Sequence, residues 1–418
     1  MNQTQFSAIL DVLATALGFT GPADAVLSRH FRDNRKLGSH DRHVIAETVF
    51  GILRHLPQIE WLVGGMPTPR QVLLAWFTGI ERLNVRELSS VFSDDDRKYA
   101  GGLKAKSLKD APLAVRASLP QWMVDALLEA GQTEEEVLAL GIGLLQSAPL
   151  DLRVNALKAK NREEIIDRLS GAGIEAAPTP LSPFGLRVVG KPPINKTKVF
   201  EEGLVEVQDE GSQLLGLLTG AKRGQMVADF CAGAGGKTLL LGAMMQSTGR
   251  LYAFDVSEKR LANLKPRLAR SGLSNVQPQL IASESDQKIK RLAGKMDVVL
   301  VDAPCSGLGT LRRNPDLKYR QTPESVAELN AKQASILASA ARLTKSGGRL
   351  VYATCSLLRA ENETIVEAFL AANPEFSLCD ARELLPEGIA GQLDGPYLKL
   401  LPQKHGTDGF FAAALTRK

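Results

Sequence analysis

Apolar residues in the first part of the chain return every three or four positions. Phe6, Ile9, Leu10, Leu13 and Leu17 form one stripe, and Val44, Ile45, Val49, Ile52 and Leu53 form another, so residues 1 to about 92 read as helix after helix. Ser93 to Ala111 is polar and rich in Gly and Lys, the pattern of a mobile loop or linker. Helical spacing resumes at Leu119-Pro120-Gln121-Trp122, with Pro120 suited to a first turn, and continues through Glu134 to Leu138. Residues 1–143 are therefore expected to form an all-α domain.

The pattern changes at Leu150. Leu150-Asp151-Leu152-Arg153-Val154 alternates like a strand, Arg162 to Leu169 reads as a helix, and Phe184 to Val189 is a second strand between Pro and Gly punctuation. A small α+β module over 146–210 is expected, with Lys191, Lys196 and Lys198 in an exposed, Pro-rich stretch. Beyond it, short apolar runs alternate with helices. Met226 to Phe230, Leu251 to Asp255, Asp297 to Asp302 and Arg349 to Ala353 are nearly continuous, as strands buried on both faces must be. Residues 211–418 are thus expected to be a doubly wound α/β domain with a mostly parallel sheet, closed by a last strand over Gly409 to Leu415.

Composition narrows the class without choosing a function. In 418 residues, 44% are hydrophobic and 23% charged, ordinary globular values. No apolar run approaches the about 20 residues that cross a bilayer, and Met1 to Thr20 lacks the layout of a signal peptide. Four cysteines with no Cys-x-x-Cys pair argue against a disulfide scaffold or a zinc ribbon, and no metal is expected. A cytoplasmic protein with no membrane partner, and a monomer, is the expectation. The charge, 51 basic against 46 acidic residues, permits a polyanionic partner and does not demand one.

Cys231-Ala232-Gly233-Ala234-Gly235-Gly236-Lys237-Thr238 follows one strand and opens a helix. Gly-Lys-Thr invites a phosphate-loop reading, but that motif needs glycine where Cys231 stands. A nucleotide site at the end of the first strand fits better, with Asp255 closing the next strand where a carboxylate accepts ribose hydroxyls. NAD and S-adenosylmethionine fit that pair equally well, and a tight turn followed by a helix cap is the structural alternative. Cys305, in Asp302-Ala303-Pro304-Cys305-Ser306-Gly307, and Cys355, in Thr354-Cys355-Ser356, each follow an apolar strand. A lone cysteine there is most often a small buried hydrophobe. Two at successive strand ends, on the rim where open α/β sheets bind ligands, point to thiolate chemistry.

At these residues the chain resembles a known family. Asp302-Ala-Pro-Cys-Ser-Gly-Leu-Gly-Thr-Leu-Arg-Arg-Asn-Pro-Asp316 and Tyr352-Ala-Thr-Cys-Ser356 are similar to the signature motifs of the RNA (cytosine-5)-methyltransferases of the Sun/RsmB type. So are the Cys231–Thr238 loop, Gln208-Asp-Glu-Gly-Ser212 and His405-Gly-Thr-Asp-Gly-Phe-Phe411. Upstream, Pro149-Leu-Asp-Leu-Arg-Val-Asn155 looks like the start of that family's small RNA-binding module. Arg35 to Arg42 and Gly51-Ile-Leu-Arg54 look like its NusB-like helical domain.

The resemblance implies a Rossmann-like class I methyltransferase domain that moves a methyl group from S-adenosylmethionine to carbon 5 of a cytosine in structured RNA, foremost 16S ribosomal RNA. It assigns Cys355 as the nucleophile toward carbon 6, Cys305 to the release step and Asp302 to the ring nitrogen. It assigns the methyl donor to Cys231, Ala232, Gly233, Ala234, Gly235, Gly236 and Lys237, with Asp255 on the ribose and Asp302 nearby. The family's acidic adenine contact falls near Ser283, with Glu284 and Asp286 as alternatives, and Ala234 stands where proline is usual. Arg312, Arg313, Lys318 and Arg320 are expected to meet RNA phosphates. Arg29, Arg32, Arg35, Lys36, Arg42 and Arg54 form a second basic set on the helical domain, for which a solvated face is the alternative. A base inside folded RNA has to be splayed out to reach a thiol, which favours single-stranded loops. Competing readings are the same chemistry on transfer RNA, large-subunit RNA or DNA, a catalytically idle ribosome-assembly factor, and an NAD-dependent oxidoreductase. The last leaves both cysteine motifs unexplained.

Overall fold

The computed structural model describes residues 1–88, 90–103 and 106–418. It divides into two compact units: Met1–Ser147 with Thr310–Ser325, and Ala148–Gly309 with Val326–Lys418.

The first unit is helical. Its opening helix, Gln3–Ala16, starts at a capping box in which Asn2 accepts from the Gln5 N–H and Gln5 returns the bond, and it buries Phe6, Ile9, Val12 and Leu13. The long helix Ser39–Val63 buries Ile45, Val49, Ile52, Leu53 and Ile59 on the same core. Glu134–Leu145 repeats the capping logic with Thr133 and Glu136. The loop expected over Ser93 to Ala111 is in large part a helix, Asp94–Leu103. Ser93 and Asp96 exchange cap bonds there, Arg70 holds Asp96 at 2.6 Å, and Ala100 and Leu103 reach the core. Glycines and lysines on the exposed face hid two buried positions. Lys104 and Ala105 of that stretch lie outside the described residues.

The second unit begins with a four-stranded antiparallel sheet of β1 (Leu150–Val154), β2 (Ala176–Pro178), β3 (Gly185–Val188) and β4 (Val205–Val207), in the order β2-β3-β1-β4. The helix Arg162–Gly171 covers it, putting Ile165 and Leu169 against Leu152, Leu186 and Val205.

The large sheet holds β5 (Met226–Asp229), β6 (Arg250–Asp255), β7 (Val276–Leu280), β8 (Met296–Asp302), β9 (Thr344–Thr354), β10 (Phe376–Cys379), β11 (Leu398–Leu400) and β12 (Phe410–Arg417). Its order is β10-β12-β9-β8-β5-β6-β7, with β11 beside β12. Strands β5 to β9 pair in parallel, and β12 runs antiparallel to β9. Ala228, Val299, Val301 and Tyr352 enter one apolar layer, while Val227, Val298, Leu300 and Val351 enter the other, which accounts for the unbroken apolar runs. The chain winds outward from β5 through β6 to β7, then returns to β8 on the other side. That reversal leaves a crevice beyond the strand ends of β5 and β8, where ligands of such sheets bind.

Candidate active site

A cavity of about 520 Å³ opens at this crevice, within the size range of small-molecule sites. Its walls include Asp229, Cys231, Gly233, Lys237, Asp255, Glu284, Asp302, Cys305, Lys332 and Cys355. The expected loop and both expected thiols therefore share one cavity.

The loop is held from three sides. The Gly233 N–H donates to Asp255 Oδ2 at 2.8 Å, and the Ser257 N–H donates to Oδ1 at 2.7 Å, so the carboxylate stands fixed at the end of β6. Each oxygen keeps lone-pair capacity for a further donor such as a hydroxyl. At Gly235, φ is +84° and a Cβ would sit 2.1 Å from Leu264 Cδ1, so only glycine fits. Arg267 donates to the Ala234 carbonyl at 2.6 Å, which ties down the middle of the loop. Cys231 lines the cavity, and burial followed by nearby carboxylates pushes its thiol far up, which disfavours the thiolate.

Lys237 donates to Asp302 Oδ2 at 2.7 Å across the cavity floor. Burial would lower the lysine, but the Asp302 charge and hydrogen bond outweigh it and hold the ammonium above its ordinary value. Asp229, which the sequence reading passed over, also lines the cavity. Its Oδ2 accepts from Thr238 at 2.6 Å, its Oδ1 is buried without a partner among the described residues, and burial pushes its carboxyl up to about 7. An orphaned acceptor in a cavity wall fits a ligand carrying hydrogen-bond donors.

Cys305 and Cys355 sit on the loops after β8 and β9 with their Sγ atoms 3.3 Å apart. The hydrogen bond with Cys355, then burial, raises the Cys305 thiol well above its usual value. The Gly309 N–H donates to the Cys355 carbonyl at 2.9 Å, and the Gly409 N–H donates to the Gly309 carbonyl at 2.8 Å. A Cβ on Gly309 would meet Gly409 O at 2.1 Å, so these glycines let the three segments close on one another.

Three expectations change. Of the adenine candidates, Glu284 lines the cavity, whereas Ser283 accepts from the Ser285 N–H and Asp286 caps a helical turn through Lys288, neither on the wall. The reason is that β7 ends at Leu280, and the following turn aims the second of the three residues inward. Lys318 does not face solvent: it is 4% exposed, and its ammonium donates to the carbonyls of Arg54 and Ser118, both at 2.7 Å. Arg312 is also buried, and its carbonyl accepts from Arg54 Nε at 3.1 Å. Arg54 is likewise buried, so it leaves the second basic surface set. Arg320 is exposed and pairs with Asp316 at 3.1 Å, and Arg313 is half-buried. These residues belong to Thr310–Ser325, which folds into the helical unit, so Lys318 and Arg312 are internal ties there and not phosphate contacts.

A doubly wound sheet with this cavity at its switch point defines a Rossmann-like fold with a ligand site where such folds bind nucleotides. Residues 217–416 match the family model described as 16S rRNA methyltransferase RsmB/F, and residues 119–195 match the RsmF/B-like, ferredoxin-like domain. The probable ribosomal RNA small subunit methyltransferase B of Synechocystis sp. is 31% identical, with 94% of each chain covered. The corresponding protein of Bacillus subtilis is 28% identical over 92% of each. Among solved structures, PH0851 is 26% identical with a TM-score of 0.80, covering 100% of this chain and 99% of that one. A methyltransferase homologue from Pyrococcus horikoshii is 29% identical with a TM-score of 0.58, covering 72% and 100%. The chain belongs to the RsmB/F family of ribosomal RNA methyltransferases. Among the described residues no helix is long and apolar enough to cross a membrane, and no cluster of His, Cys, Asp or Glu is arranged to hold a metal ion.

Proposed function

We propose that the chain methylates carbon 5 of a cytosine in small-subunit ribosomal RNA, using S-adenosylmethionine. The observation that carries the reading is the pair of thiols 3.3 Å apart on a cavity that also holds the Lys237–Asp302 pair. Asp255 and the Gly233 turn would hold the ribose end of the methyl donor, with Glu284 toward its base and Asp229 and Lys237 beside it. A Pyrococcus horikoshii NSun6 structure solved with SFG shares the fold at 21% identity and a TM-score of 0.62.

Carbon 5 of cytosine is too electron-poor to attack a methyl group unaided. The Cys355 thiolate bonds to carbon 6, and the displaced electron pair makes carbon 5 nucleophilic. Asp302 relays a proton from the Lys237 ammonium to the ring nitrogen as charge develops there, and the same path returns it to Lys237 when the ring double bond re-forms. S-adenosylmethionine, when bound, supplies a methyl group on a positively charged sulfur. Once Cys355 is a neutral thioether, the hydrogen bond that held the Cys305 proton is gone, and that proton passes to solvent. The Cys305 thiolate then takes the carbon-5 proton, the ring double bond re-forms, and Cys355 leaves carbon 6 as a thiolate. Both cysteines return to their starting states, with one proton released per methyl transferred.

The test is transfer of labelled methyl to 16S ribosomal RNA that lacks the modification, followed by digestion to nucleosides. Label in 5-methylcytidine supports the proposal. Label in any other nucleoside overturns the chemistry, and label confined to transfer RNA overturns the substrate.

A further inference from the structure

Beneath the thiols lies a carboxylate to which the chemistry above gives no part. Glu361 is 0% exposed, and among the described residues no lysine or arginine pairs with it. Its Oε1 accepts from the Ser306 N–H at 2.8 Å and from Gln333 Nε2 at 3.0 Å. Its Oε2 accepts from the Ser306 hydroxyl at 2.5 Å and from the Ser356 hydroxyl. Gln333 Nε2 also donates to the Pro304 carbonyl at 3.0 Å, and the Tyr352 hydroxyl donates to the Glu361 carbonyl at 2.7 Å. One carboxylate thus gathers the residue that follows each cysteine, on two loops that otherwise leave different strands.

Burying a carboxylate without a cation is costly unless hydrogen bonds satisfy it, and an apolar side chain would fill the space at less cost. What an apolar residue cannot do is fix two loops in one geometry. We propose that Glu361 is a positioning residue for the reaction, setting the register of Cys305 against Cys355 by clamping Ser306 and Ser356. The inference rests on the two-thiol reading above. Its negative charge also adds to the Cys355 hydrogen bond and to burial in keeping Cys305 protonated at rest. The step most exposed to a shift is release, because the Cys305 sulfur has to meet a proton on the carbon adjacent to the one bonded to Cys355.

The experiment incubates wild type, Cys305→Ala, Glu361→Ala, Glu361→Gln and the double variant Ser306→Ala/Ser356→Ala with ribosomal RNA and labelled methyl donor. Turnover is counted, covalent protein–RNA adduct is read on a denaturing gel, and S-adenosylhomocysteine binding reports the intact cavity. Glu361→Ala is expected to lose about 100-fold in turnover, the scale of a one-ångström misplacement, and to accumulate adduct with both cysteines present. Glu361→Gln keeps one oxygen to accept from the Ser306 N–H and sets an NH2 against the Ser306 and Ser356 hydroxyls, which can turn to accept, so it is expected to keep the two loops tied, restore release and show no adduct. The serine double variant is expected to accumulate adduct as Glu361→Ala does, and it decides the matter where Glu361→Ala fails to fold. Wild-type turnover in the alanine variants, or lost turnover without adduct while S-adenosylhomocysteine still binds, overturns the positioning role. Absence of adduct with Cys305→Ala sinks the two-thiol reading itself, and the proposal with it.

Discussion

Gly235→Ala and Gly233→Ala make the same chemical change in the same loop, and the structure predicts unequal outcomes. At Gly233, φ is +56° and a Cβ would meet nothing within 4 Å. The cost there is the left-handed backbone alone, about 1 kcal/mol once the lower entropy of the unfolded alanine chain is counted. At Gly235 the backbone term recurs, and the new Cβ falls 2.1 Å from Leu264 Cδ1 and 3.2 Å from its Cγ. Leu264 is 0% exposed, so it has little room to withdraw. Overpacking of that kind adds about 1–3 kcal/mol, for a total of about 2–4 kcal/mol at Gly235. Hydrogen exchange over β5, the loop and β6 reads the local opening free energy in each variant. The pair Gly235→Ala/Leu264→Ala supplies the check on cause: its cost is expected to fall short of the sum of the single costs, because the methyl occupies space that the leucine vacates. Equal protection in both glycine variants, or strict additivity in the double, would refute the argument.

Other consequences are as direct. Asp255→Ala removes the acceptor of two backbone N–H groups and of the proposed ribose contact, and is expected to weaken S-adenosylhomocysteine binding by about 1.5–3 kcal/mol, roughly ten- to a hundredfold by calorimetry; an unchanged Kd contradicts the assignment. Burial, then the Arg54 charge, pushes Lys318 down to about 7, whereas an unfolded lysine titrates near ~10.4. Between those values the unfolded chain binds more protons, so stability rises with pH from about 7 to about 10, by up to ~1.4 kcal/mol per pH unit, and is flat in this respect below pH ~7. Lys318→Met removes that slope, so the difference in urea midpoint between it and wild type is expected to move in favour of wild type from about pH 6.5 to about pH 9. A difference that ignores pH counts against the buried ammonium.

What the sequence displayed was whatever depends on local pattern. The runs at β8 and β9 are apolar because both faces of those strands are covered, and the glycine loop, Asp255 and the two cysteines sit at strand ends that such runs mark. β7 was not visible as a strand: Val276-Gln277-Pro278-Gln279-Leu280 is an edge strand, free to carry polar side chains and proline on its unpaired side. Its position then decides that Glu284, and not Ser283, reaches the cavity. Lys318 and Arg312 looked like surface charges because their partners lie far off in sequence, which composition does not reveal: Lys318 donates to the carbonyls of Arg54 and Ser118, and the Arg312 carbonyl accepts from Arg54. Glu361 was hidden for the same reason, since its importance lies in joining Ser306 to Ser356. Asp229 had a weaker signal available, as the acid that ends the strand before the glycine loop.

The most direct test of the central claim is the identity of the sulfur that bonds to RNA. Cys305→Ala, incubated with 16S ribosomal RNA and methyl donor, is predicted to give a denaturation-resistant protein–RNA band that disappears in the Cys305→Ala/Cys355→Ala double variant. Cys355→Ala is predicted to give neither adduct nor methylated RNA. An adduct formed by Cys355→Ala through Cys305 would reverse the two roles and contradict the account.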